Sequence, residues 1–376
     1  MLKSRVNPVY RARPRIDVHK QSSESLQQQR SMGEQMNAAA RSSKCCIRSR
    51  RLRALLVAAV LGAAVHSSPA VAVDAWQAYT FWGTPTVVGS KGFRKLVDDI
   101  EQASAGEIKI KFNLGGTLGI NATNINSAVS DDIVQIADDA FYQGTVPIAT
   151  LPLLPLLVQN IDEMDKVMEL VWPLAERDYA KKGVTALGYY VYPPQVFWFR
   201  GNVSSLADIK GRKVRITSAE QGAMVKSFGG IPVQLTSAEV PAALERGVVD
   251  GILTASAGGV MAWKELLKSS YMLGINYHVS YIVANTGRFM KLPPAIQSKI
   301  RDLARRHLAD QTAELQREDV ELRKRFASEG IVMTAAKPDE MAQAEKMSKE
   351  IWLQWAKGHG PEATQALEQV RKGLRR

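Results

Sequence analysis

The stretch 206–218 (LADIKGRKVRITS) is where residue type and spacing first suggest chemistry. Arg215 sits between Val214 and Ile216 in a short apolar run that reads as a strand, and a small polar loop follows. A guanidinium held this way can offer two parallel N–H donors to a carboxylate. An ordinary arginine on a strand's polar face fits the same pattern. Reactive constellations are otherwise missing. Gly115, Gly116 and Gly119 follow a strand but match neither phosphate-loop nor dinucleotide spacing, so they read as a turn. There is no Gly-x-Ser-x-Gly elbow and no His-Glu-x-x-His. The acidic pairs Asp98–Asp99, Asp131–Asp132 and Asp138–Asp139 are adjacent in sequence, so their side chains diverge; they read as solvated or capping residues. This pattern assigns no catalytic residue, metal ligand or cofactor, and it disfavours an enzyme.

The elements that would position Arg215 alternate short apolar runs with longer helical ones, which predicts an α/β architecture. In the first unit, strands are expected at 75–82, 107–112, 133–137 and 184–190, with helices at 87–103, 121–129 and 161–182. Pro152 and Pro155 make 151–158 a hydrophobic loop rather than a strand. The second unit opens on a crossing strand at 195–200. It continues with strands at 213–216, 231–235 and 248–253, and 271–284 reads as two extended runs. Beyond Pro293 the chain is helical and charged, and the apolar residues from Leu303 to Phe326 fit one very long helix or a broken pair. Extended segments near Tyr192 and Val279 join the two units. Such crossovers make a hinge, and a ligand would bind in the crevice between the lobes.

The N-terminus sets the compartment. Residues 48–53 hold four arginines, 54–65 carry no charge, and Ala70-Val71-Ala72 follows. These are the three parts of a cleavable export signal, and cleavage is expected after Ala72. The apolar run falls short of the roughly 20 residues that span a bilayer. Residues 1–72 hold 13 of the 49 Lys and Arg but 3 of the 37 Asp and Glu. What remains is 36 basic against 34 acidic residues, a near-neutral chain with little call on nucleic acid. Both cysteines, Cys45 and Cys46, also precede the expected cut, so the mature chain would have no disulfide or thiolate site. It would keep His278, His307 and His359, without metal-ligand spacing, as surface or core residues.

The segments DIKGRKVR (208–215), GGIPV (229–233), SAE (237–239) and ALERGVVDG (243–251) occur in that order. GTLG (116–119), LPLLP (151–155), Ala284-Asn285 and Leu292-Pro293 flank them. Together they resemble the substrate-binding proteins of tripartite ATP-independent periplasmic (TRAP) transporters, the DctP-like family, over essentially all of 73–376. The resemblance implies an α/β two-lobed clamshell with hinge strands and a long C-terminal helix spanning both lobes. Lobe I would take 73–192 and 280–322; lobe II would take 193–279 and 323–376. It implies a periplasmic monomer that captures an organic acid and delivers it to the small and large membrane subunits of a permease. Arg215 falls on the family's carboxylate-binding arginine. Ser218 and Thr254 fall where members place polar contacts, and Ser237 belongs to the same loop region. A second basic contact of some members falls near Gln195, and the nearest arginine is Arg200. Phe81, Trp82, Tyr142 and Trp198 are the aromatics expected near the crevice, suggesting a ligand with an apolar or aromatic body. Two other readings stay open: a binding protein for another importer or a sensor, and an extracytoplasmic enzyme acting on a carboxylic acid.

Overall fold

The computed structural model describes residues 74–376; the export signal and its cleavage position lie outside the described residues. Nine strands form one sheet: β1 (Asp74–Thr80), β2 (Ile108–Asn113), β3 (Ile136–Asp139), β4 (Val184–Phe199), β5 (Lys213–Ile216), β6 (Ile231–Gln234), β7 (Gly251–Thr254), β8 (Ser269–Asn285) and β9 (Val332–Ala335). The order is β2-β1-β3-β8-β4-β7-β5-β6, with β9 added to β8. β1 pairs in parallel with β2 and β3, and β5 pairs in parallel with β6 and β7. Between these two parallel ends lies the antiparallel pair β4/β8.

That pair belongs to both ends of the sheet. β4 has 16 residues and β8 has 17, about 50 Å at ~3.3 Å per residue. Val184–Tyr192 faces His278–Asn285, and Gln195–Phe199 faces Ser269–Asn276. The register slips on either side of Gln195, where Pro193 and Pro194 withhold two N–H donors from the ladder. A bulge of this kind bends the strand locally. The extended run from Tyr271 to Ala284, read from sequence as two pieces, is one strand bent against this bulge.

The helices of the first end are α1 (Val88–Ala103), α2 (Ile125–Ser130) and α3 (Ile161–Ala180). Phe93, Leu96, Val97 and Ile100 recur at helical spacing on α1 and are fully buried. At the second end, α4 (Ala219–Ser227) and α5 (Val240–Glu245) cover β5, β6 and β7. Short α6 (Thr286–Lys291) leads into α7 (Pro294–Ser328), one uninterrupted helix of 35 residues, about 52 Å long. Its length matches that of β4 and β8. Leu308 packs where Gly188 of β4 leaves room; a Cβ on Gly188 would come within 2.6 Å of its Cδ1. Further along, Phe326 meets Trp198 edge-on at 5.6 Å. The long helix therefore shares its core with both ends of the sheet.

The C-terminal helices are α8 (Pro338–His359) and α9 (Pro361–Leu374). The expected division gave 323–376 to the second lobe; these helices pack against both ends of the sheet. Ala344 and Ile351 do pack into the second-end core. Trp352, Trp355 and Ala356, however, join the first-end core, as do Ala363, Ala366, Leu367 and Val370 of α9. The buried loop at 147–158 receives them: Trp352 Nε1 donates to the Pro155 carbonyl at 2.7 Å and Trp355 Nε1 to Thr150 Oγ1 at 2.9 Å. As expected, that loop is no strand; it winds through 3-10 turns. No helix of the described residues is long and apolar enough to cross a membrane.

Candidate functional site

The parallel strands at both ends of the sheet point their C-terminal ends at one cleft. Phe81 and Trp82 follow β1, Phe141 follows β3, Thr217 follows β5, Ser237 follows β6, and Thr254 and Ala255 sit at the end of β7; Tyr192 and Gln195 of β4 and His278 of β8 close the floor. Ligands of open α/β sheets bind outside the carboxyl ends of strands, so the cleft lies where that topology places a site. The cavity between these walls measures about 40 Å3.

Arg215 is the charged group at its centre. Its strand alternates: Val214 and Ile216 are in the second-end core, so Arg215 projects to the opposite face. The residue is 2% exposed. Nε donates to the Leu235 carbonyl at 2.9 Å, and the other guanidinium nitrogens have no hydrogen-bond partner among the described residues. No described carboxylate lies within ion-pair distance. Glu239, the acid that acts on it electrostatically, is occupied in a cap with Thr236. Burial pulls the Arg215 pKa down to about 10, which leaves it charged at neutral pH. A buried, unpaired charge is costly, and an anion in the cleft would offset that cost.

A second set of polar groups surrounds it. Gln221, fully buried on α4, accepts from the Thr217 N–H at 2.8 Å and from Thr217 Oγ1 at 3.0 Å. Its Nε2 donates to Gln195 Oε1 and to Asn276 Oδ1. His278 lies opposite Tyr192 in the β4/β8 register and is 6% exposed. Burial, and then the nearby Arg215 charge, push its pKa down to about 4, so the ring is neutral at pH 7. Its Nδ1 has no partner among the described residues.

The aromatic wall is tied to a buried carboxyl. Trp82 Nε1 donates to Tyr192 Oη at 2.9 Å, which meets Tyr190 Oη at 3.0 Å, which donates to Asp138 at 3.0 Å. Thr80 Oγ1 and Ser280 Oγ also donate to Asp138. Asp139 accepts from Tyr179 Oη at 3.2 Å. The expectation that Asp138 and Asp139 are solvated or capping is thus overturned. Both are fully buried, and desolvation raises each pKa to about 7 despite these donors.

Of the residues expected from sequence, Arg215, Gln195, Phe81, Trp82, Ser237 and Thr254 line the cavity. Four do not. Arg200 stands exposed one residue beyond β4, its N–H bonded to the Asp250 carbonyl, too far along the strand to reach the cleft. Tyr142 points into the first-end core, its hydroxyl on the Val279 carbonyl and its ring edge-on to Tyr281. Trp198 lies behind the wall, where its Nε1 holds the Thr254 carbonyl at 3.1 Å. Ser218 caps α4 by accepting from the Gln221 N–H. Six lining residues are not among the contacts expected from sequence: Phe141, Tyr192, Thr217, Ala255, Gly258 and His278. Tyr192 and His278 flank the expected hinge, and that position is the signal that could have found them. Among the described residues, no group of His, Cys, Asp or Glu could hold a metal.

Two α/β ends joined by long crossing strands, with a buried arginine facing the cleft, define a solute receptor of the two-lobed kind. The chain belongs to the bacterial extracellular solute-binding proteins of family 7, the DctP family, whose model matches residues 81–358. That family consists of binding proteins rather than enzymes. Among curated proteins, an uncharacterized protein YiiZ of Salmonella typhimurium is 24% identical over 165 residues, 42% of this chain and 49% of that one. The match thus spans about half the length of this curated relative. Among solved structures, the extracytoplasmic solute receptor DctP7 of Bordetella pertussis, which binds pyroglutamic acid, is 22% identical with a TM-score of 0.75. The alignment covers 80% of this chain and 100% of that one. A TRAP periplasmic solute-binding protein of Xanthobacter autotrophicus with bound galacturonate is 17% identical with a TM-score of 0.72, covering 79% and 99%.

Proposed function

We propose that this protein captures a small organic monocarboxylate outside the cytoplasm and delivers it to a TRAP permease of one small and one large membrane subunit. The observation that carries the reading is the buried guanidinium of Arg215, unpaired and facing the cleft. The carboxylate would lie on Arg215, with Ser237 and Thr254 offering hydroxyls beside it. The ligand body would rest on Phe81, Trp82 and Phe141, which accept a flat ring. Every solved relative described above binds a carboxylic acid, which supports the class and leaves the particular acid open. Arg200 is not proposed as a second clamp, so a single carboxylate is preferred over a dicarboxylate. With the lining residues buried, entry requires the two ends of the sheet to part, and the bulge at Pro193–Gln195 is the natural bending point.

A thermal-shift screen of monocarboxylates against their primary carboxamides tests this. Binding raises apparent stability by mass action. Acids, pyroglutamate and galacturonate among them, should raise the unfolding temperature where their amides do not. Equal shifts from acid and amide, or none from any acid, would overturn the proposal.

A further inference from the structure

Gln195 stands in the cleft beside Arg215, and what it offers a ligand depends on which end of its amide faces inward. The structure settles this through two backbone anchors. The Thr217 N–H can only donate, so the Gln221 atom it meets at 2.8 Å is Oε1. The Tyr277 carbonyl can only accept, so the Asn276 atom it meets at 2.7 Å is Nδ2. Asn276 therefore turns Oδ1 toward Gln221, 3.0 Å from its Nε2. Both anchors give Gln221 the same orientation. Gln221 Nε2 must then donate to Gln195, which presents Oε1 to it. Gln195 is left with Nε2 free; it donates to no described residue, and the side chain is buried at the cavity wall.

We infer that Gln221 is a positioning residue that locks Gln195 as a hydrogen-bond donor, so the site selects carboxylates bearing an acceptor oxygen near the carboxylate. This rests on the reading of Arg215 as the carboxylate clamp. A ligand presenting an N–H or a methylene at that point would leave the Gln195 donor buried and unpaired, a penalty that lowers affinity. Free rotation would let a glutamine read donors and acceptors alike. The relay through Gln221 removes that freedom, because turning Gln195 over would face its Nε2 toward another N–H donor.

The test uses three five-membered-ring acids of nearly equal shape. They are 5-oxotetrahydrofuran-2-carboxylate, with carbonyl and ring oxygens; tetrahydrofuran-2-carboxylate, with the ring oxygen alone; and cyclopentanecarboxylate, with neither. Calorimetric titration of the mature protein should rank them in that order, the first binding at least roughly ten-fold tighter than the last. Gln195→Met should collapse the ranking while cyclopentanecarboxylate still binds. Gln221→Met, which leaves Gln195 in place but unanchored, should narrow the same ratio; a merely structural role would lower all three affinities together and keep the ratio. Equal binding of the three acids by the wild-type protein overturns the inference and leaves the carboxylate clamp standing, as does binding of none of them by a protein that holds other monocarboxylates. If no carboxylate of any kind binds, the clamp reading itself falls.

Discussion

Arg215 carries a full charge at 2% exposure, with one of its nitrogens satisfied by a described partner. Its geometry makes it a poor exchange for lysine, which cannot form the forked pair with a carboxylate. Arg215→Lys should therefore weaken acid binding in titration while leaving the unfolding temperature of the free protein unchanged or higher; retained affinity would show that charge alone suffices. Gly89 makes a separate prediction. A Cβ at this helical position would collide with Tyr192 Oη and come within 2.7 Å of Trp82 Nε1. Gly89→Ala should part that pair, move the indole from the cleft wall and lower ligand affinity, although Gly89 itself does not line the cavity. Unchanged affinity would remove the Trp82–Tyr192 pair from the site. The strand pattern around Arg215 fits an ordinary polar-face arginine equally well, and the order of the neighbouring motifs is what points to it; the structure places it in the cavity wall. The sequence was misleading for Tyr142 and Trp198, since aromatic residues next to a cleft and behind it share the same local pattern. Arg200 failed for a related reason: pattern tells the face of a strand, not how far along it a pocket extends.

Three elements of matching length, β4, β8 and α7, join the two ends. The close approach of the helix to the strand depends on Gly188, where Leu308 occupies the space of the missing side chain. Gly188→Ala should destabilise the protein by about 1–3 kcal/mol through overpacking. Leu308→Ala alone should cost about 2–5 kcal/mol through its cavity. The double variant should be more stable than the two losses added, because each change relieves the other. Additive losses in denaturant unfolding would contradict this packing. The helix periodicity was legible along 303–326, but whether it ran unbroken was not, since its polar face gives no signal of continuity. From sequence β8 reads as two runs because the bend at its middle comes from Pro193 and Pro194 on the partner strand, more than eighty positions away in the chain. The fate of Trp352 and Trp355 was equally invisible, because their partners are carbonyl and hydroxyl groups of a loop near residue 150.

For the whole molecule, the buried pair Asp138 and Asp139 makes stability depend on pH. Their folded-state pKa values of about 7 stand well above the ordinary 3.8. The stability they contribute is present in acid and is lost as pH rises through 7. Lowering pH from 8 to 6.5 should add roughly 1 kcal/mol per carboxyl. His278, depressed to about 4, acts in the opposite sense as pH falls toward its ordinary 6.5 and takes back about 0.4 kcal/mol over this window, so the comparison with a variant that keeps His278 isolates the aspartate. Thermal unfolding at the two pH values should show the gain in the wild-type protein and a smaller gain in Asp138→Asn; equal gains would mean Asp138 is ionised throughout. Neither aspartate could be recognised from its sequence neighbours, because the hydroxyls that make burial tolerable come from β1, α3, β4 and β8.

Ligand capture depends on the charge at the centre of the cleft. Calorimetric titration of the mature wild-type protein and Arg215→Ala, using the tightest acid from the screen, measures it directly. Removing one partner of a buried charge pair costs about 2–5 kcal/mol, a loss of roughly 30-fold or more in affinity. That loss is expected in a variant that still unfolds cooperatively. The same affinity in both proteins would place the carboxylate somewhere other than Arg215.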